Sequence, residues 1–270
     1  MRGSSVLVLF AACLSIADAR AQPEWIQAWL REYAAGRHAE VATKLRSVGD
    51  LKAFEADLDR TAPAWLAGTE GSPESRRRVL AAFALESASA QLERGAAAMK
   101  ILEFGCRQIR RNPKPDEFDR RWHLAAFALF AGAVDPDGLE AHVVHARFQF
   151  PNEPWLPFER AVASELRTFP RLVAETRVSA GDVTKRLEEA AKRYVEASKN
   201  EATRAEAGVR LGRIEIALGH PDRALEALEP VPAGTDDQTV KYLAQLFRGQ
   251  ALERLKRPDE ARQAYEAALA

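Results

Sequence analysis

Three short runs near the C-terminal end of the chain copy one another in spacing and residue type: Ala190-x3-Tyr194-x2-Ala197, Ala224-x3-Leu228-x2-Val231 and Ala261-x3-Tyr265-x2-Ala268. Ala224 follows Ala190 by 34 positions and Ala261 follows Ala224 by 37, the longer interval holding the turn-rich segment Pro230–Asp237. Gly212 and Gly249 each stand 12 positions before the alanine of the next run. Between glycine and alanine lie the turns Gly219-His220-Pro221-Asp222 and Lys256-Arg257-Pro258-Asp259, each with a proline where a new helix can start without needing its N–H. A unit this short cannot bury an apolar face alone, so a repeated unit must stack on its neighbours. The spacing therefore predicts stacked helix pairs over residues 182–270.

These runs resemble the tetratricopeptide repeat family, whose pattern sets a small residue on the first helix of each pair and Ala, an aromatic and Ala on the second. The consensus tryptophan is absent from both glycine-bearing helices, and Leu228 with Val231 replaces the aromatic and the second alanine. The resemblance implies an all-α, right-handed solenoid of antiparallel helix pairs that holds a protein or peptide partner, with no catalysis and no cofactor. First-helix (helix A) side chains of this family line the concave face, which places Arg210, Arg213, Gln250 and Arg254 there as the partner-binding set. Long cationic and amide side chains suit carboxylates or the backbone of an extended peptide. The same reading has Gly212 and Gly249 closing helix A onto its partner, with Ala224 and Ala261 on the other side of that contact. Tyr194 and Tyr265 then fill the gap to the next helix.

Composition supports the helical reading along the whole chain. Alanine, leucine, glutamate and arginine dominate, all helix formers, and no segment alternates as a strand does. Lys+Arg and Asp+Glu both number 39, so no global basic field draws the chain to nucleic acid or anionic lipid. Weaker helix pairs lie upstream. Trp25–Ala35 and His38–Val48 join at Gly36; Ser72-Pro73 opens a long helix to about Leu92; Trp122–Gly132 and Leu139–Phe148 flank Asp135-Pro136-Asp137-Gly138; Pro151–Pro154 leads into a helix through Leu166. The expected organisation is a leader over 1–21, an irregular helical region over 22–115 and repeats over 116–270.

The leader reads as an export signal. Arg2 precedes an apolar run over Val6–Ile16, too short to span a bilayer, and small residues at Ala17, Ala19 and Ala21 offer cleavage after Ala21 or after Ala19. A lipoprotein reading through Cys13 competes, weakened by Phe10 at the first position of the motif. The expected location is thus periplasmic or secreted. After cleavage Cys106 is the remaining cysteine and no internal disulfide can form. At the other end, the run to Ala268 suggests a last helix with an apolar outer face, hence docking of a partner or self-association there.

Chemistry has few candidates. His142 and His145, three apart on one helix with Glu140 beside them, are the basis of the alternative reading, a metal-binding protein or enzyme, but the His-Glu-x-x-His spacing is absent. Asp135-x-Asp137-Gly138 lacks the acids of a calcium loop. No nucleophile elbow or phosphate-binding glycine loop occurs. The clusters Arg76–Arg78, Arg110-Arg111 and Arg120-Arg121 read as helix faces or partner contacts, and Trp65, Trp122 and Trp155 as core, with a peptide anchor as the alternative.

Overall fold

A computed structural model describes residues 24–169 and 179–269. The export signal, its cleavage sites and Cys13 lie outside those residues. Among the described residues there are thirteen α-helices, one short 3-10 turn and no strand, so the all-helical expectation holds. The chain divides into two compact units at Leu129/Phe130.

The first unit contains α1 (Glu24–Ala34), α2 (His38–Arg46), α3 (Leu51–Leu66), α4 (Pro73–Ala90), α5 (Ala96–Ile109) and most of α6 (Glu117–Gly132). Gly36 sits at φ +84 between α1 and α2, a left-handed turn that glycine adopts without a steric penalty. Ser72 caps α4 by accepting from Ser75 N at 3.0 Å, and Pro73 takes the first helical position. A contiguous cluster runs through this unit from Ile26 and Leu30 through Phe54 and Leu58 to Phe83, Ile101 and Phe104. The basic run of α4 is structural. Buried Arg76 donates to the carbonyls of Leu66, Glu70 and Gly71, tying down the preceding loop, and Arg78 reaches buried Asp119 at 2.7 Å. Trp122 is core, its indole N–H bonded to Ala81 O at 2.9 Å.

The second unit contains α7 (Pro136–Gln149), α8 (Trp155–Leu166), α9 (Ala180–Ala197), α10 (Glu201–Leu218), α11 (Pro221–Leu228), α12 (Gln238–Arg254) and α13 (Pro258–Leu269). Helices α10 with α11, and α12 with α13, form the two predicted pairs, and α10 also packs against α8, α9 and α12. The apolar interior of these pairs is a succession of small clusters rather than one core. Val209, Leu228 and Val231 meet Ala244; Ile216 and Ala224 meet Ala251; Leu252 meets Ala261 and Ala264. Phe247 and Leu225 each bridge two of these clusters, so every pair is completed by its neighbour.

The glycines behave as expected and their opposite numbers do not. A Cβ on Gly212 would lie 2.5 Å from Leu228 Cγ, and one on Gly249 would lie 2.6 Å from Tyr265 Cδ1. The atoms nearest each glycine's open side therefore belong to the large residue of the second helix, Leu228 or Tyr265, rather than to Ala224 or Ala261, and Tyr265 packs within its own pair. Val231 also departs from expectation. Helix α11 stops at Leu228, because Pro230 can neither donate to nor fit under a further helical turn, and Val231 is buried in the turn beyond it. Gly212→Ala is expected to cost about 1–3 kcal/mol in denaturant unfolding, since Leu228 is fully enclosed. Gly249→Ala is expected to cost less, since half-buried Tyr265 can swing outward. Equal losses would show that enclosure of the facing side chain does not set the penalty.

Candidate interaction site

The four predicted partner-binding residues divide into two groups. Arg210 and Arg213, one turn apart on α10, both turn onto Glu165 at the end of α8. Arg210 Nη1 lies 3.1 Å from Glu165 Oε2, and Arg213 pairs with Oε1 of the same carboxylate. Tyr194 of α9 donates its hydroxyl proton to Glu165 as well. The carboxylate side chain is 2 % exposed, whereas those of Arg210 and Arg213 are 35 % and 44 % exposed. The buried carboxylate is thus hydrogen-bonded through Oε2 by Arg210 and Tyr194, while Oε1 accepts no hydrogen bond and is compensated by the charge of Arg213 beside it. Arg210 also bonds Glu206, one turn back, at 3.1 Å and lies 5.6 Å from the Phe158 ring centroid. The charge expected to meet a partner's carboxylate is here largely met by the chain's own.

Arg254 donates from Nη1 to Ile216 O at 2.6 Å, a second bond, from the next first helix, to a carbonyl in the last turn of α10 that already accepts from Gly219 N at 3.1 Å. Gln250 is half-buried on α12 and follows Gly249 as Arg213 follows Gly212, so Arg213 and Gln250 occupy equivalent positions on adjacent helices.

Glu159, on the same helix as Glu165, is pushed up to about 7 by burial and by the neighbouring Glu206 carboxylate, against the pull of Arg210. Burial also carries the Tyr194 phenol above its ordinary range. Neither Glu159 nor Glu165 was singled out from the sequence. The available signal was a carboxylate inside the apolar run Ala161-Val162-Ala163-Ser164-Glu165-Leu166.

The histidine pair does not gather a third ligand type around it. His142 is buried against the Phe130 ring, 5.6 Å between centroids, and Glu140 is held by Arg167 at 2.8 Å and by Arg193 at 3.7 Å. Among the described residues no group of three His, Cys, Asp or Glu side chains is placed to hold a metal ion. No helix among them is long and apolar enough to cross a membrane. The outer face of α13 is polar, contrary to expectation. Asp259, Glu260, Arg262, Gln263 and Glu266 are exposed there and Arg257 pairs with Glu260, leaving Leu269 as the large exposed apolar side chain at its tip.

No curated protein and no solved structure matches the chain. Residues 170–270 match the family model described as a tetratricopeptide repeat-like domain, the same stretch in which the repeated alanines, glycines and turns occur.

Proposed function

We propose that this protein is an exported scaffold that binds an extended segment of a partner protein along the first-helix side of α10 and α12, within an envelope-associated complex and without catalysis. The observation that carries the reading is the register of the two pairs. Gly212 and Gly249 face their own second helices in the same way, so Arg213 and Gln250 present equivalent positions on two adjacent, closely packed helices. A ladder of equivalent side chains on rigid neighbours is how helical-repeat proteins read an extended peptide. Arg2, the apolar run and the small-residue sites at the N-terminus support export.

Capture of the tagged protein from the envelope fraction of its own host, with intact mass reading its N-terminus, tests both parts. The expected result is a chain beginning at Gln22 or Arg20 that brings down one or a few proteins, lost with Gln250→Glu while the unfolding midpoint stays within a few degrees. A chain retaining Met1 sinks the export reading. Equal capture by wild type and variant sinks the assignment of the binding face.

A further inference from the structure

In the first unit, α1, α2, α4 and the start of α6 enclose an open cavity of about 470 Å³, lined by Tyr33, His38, Glu74, Arg78, Val79 and Phe118 among others. We propose that this cavity receives a basic side chain, arginine or lysine, of a partner polypeptide, at a site separate from the α10–α12 face.

The walls fit an aliphatic stem with a flat or compact cation at its end. Tyr33 stands stacked on His38, 4.4 Å between centroids at 21°, and edge-on to Phe83 at 5.7 Å, so its ring is fixed from two directions. Val79 and Ala82 line the cavity from α4. Phe118 remains 40 % exposed, unusual for a phenylalanine with a cavity beside it, and its ring already accepts a guanidinium, that of Arg78 at 5.4 Å from the centroid. The volume falls within the range of sites that enclose small ligands.

Charge decides between occupants. Among the described residues Arg78 is the guanidinium that lines the cavity, and three carboxylates surround it: Asp119 at 2.7 Å, Asp116 at 2.9 Å and Glu74 at 3.5 Å. Asp119 is fully buried and also accepts from Asn112 Nδ2 and Asp116 N, so its charge is spent internally. Glu74 and Asp116 have side chains 39 % and 55 % exposed, leaving the surplus negative charge at the rim. An anionic group would meet those carboxylates and a neutral aromatic would leave them unmatched. A basic side chain lays its stem on Val79 and Tyr33, its cation near Phe118, Glu74 and Asp116.

The test is titration of the full chain with acetyl-Gly-Arg-Gly-amide, its lysine and glutamate counterparts and a norleucine control, followed by amide chemical shifts. The expected result is saturable shifts confined to residues around the cavity for the arginine and lysine peptides. Norleucine should bind about tenfold more weakly, since it keeps the stem and loses the charge, and glutamate should give no response. Glu74→Gln and Phe118→Ala should each weaken arginine-peptide binding about fivefold. Glu74→Gln stands alone as the decisive variant should Phe118→Ala disturb the fold. Equal response to arginine and norleucine, binding of the glutamate peptide, or affinity unchanged by Glu74→Gln would each overturn the proposal.

Discussion

Arg213→Glu is expected to lower the unfolding free energy of the second unit by about 3 kcal/mol, a fall in Tm of roughly 6–12 °C. The substitution removes one of the two guanidinium groups on Glu165 and puts a second carboxylate beside a side chain that is 2 % exposed. Removing one partner of a buried pair costs about 3–5 kcal/mol, because the remaining charge stays out of water. The lower end applies here, since Arg210 and Tyr194 still hold Glu165 and the Arg213 site itself is partly open. Arg213→Lys keeps the charge and should lose about 1 kcal/mol. Adding Glu165→Gln to Arg213→Glu should recover much of the loss, because the repulsion needs both carboxylates. A single variant within 0.5 kcal/mol of wild type, by order-of-magnitude surface behaviour, would mean that the ion pair adds nothing to stability. The result bears on function too: loss of a partner with Arg213→Glu would report damage to the fold as readily as a lost contact, and the same holds for Arg254, which is why Gln250 carries the binding test.

Glu159→Gln is expected to leave stability unchanged near pH 4.5 and to raise it by on the order of 2–3 kcal/mol at pH 8. In the folded chain Glu159 titrates at about 7, and its ordinary value is 4.5. Between those values the folded state keeps a proton that the unfolded chain has released. Raising pH through this window therefore favours unfolding, and the loss is complete above about 7. The groups responsible are the surrounding protein, which disfavours the charged form, and Glu206 of α10; Arg210 of the same helix opposes them. Glutamine cannot ionise, so the difference between variant and wild type isolates this one group from every other carboxylate. Parallel stability curves for the two proteins across pH 4.5 to 8 would show that Glu159 is solvated after all.

The repeats were legible because their signal is local. Small residues, turn prolines and an alanine every 34 to 37 positions mark helix ends and close contacts directly in the sequence, and the helices α9–α13 begin and end close to where those marks place them. The partner of each close contact was not legible. Gly212 meets Leu228 rather than Ala224 because the rotation of one helix about its axis decides which of two residues, one turn apart, faces the glycine. The ion-pair hub was hidden for a different reason. Glu165, Tyr194 and Arg210 come from three helices, and nothing in the spacing within any one of them records that they converge. Arg76 shows the same limit: nothing within a run of three arginines marks one as bound to loop carbonyls and another as bound to Asp119.

The hub has a consequence for the order of the units along the chain. In an array built only of alanine and leucine contacts, any helix pair could follow any other, and pairs could be duplicated, deleted or exchanged with little loss. Here the α10–α11 pair carries the two cations that neutralise a carboxylate belonging to α8, and α12 carries the arginine that closes the end of α10. A pair moved elsewhere would leave Glu165 charged and buried with a phenol for company. The sequence of units is therefore addressed: each carries the lock for the one before it, and recombination between units is penalised at the joint rather than inside the unit.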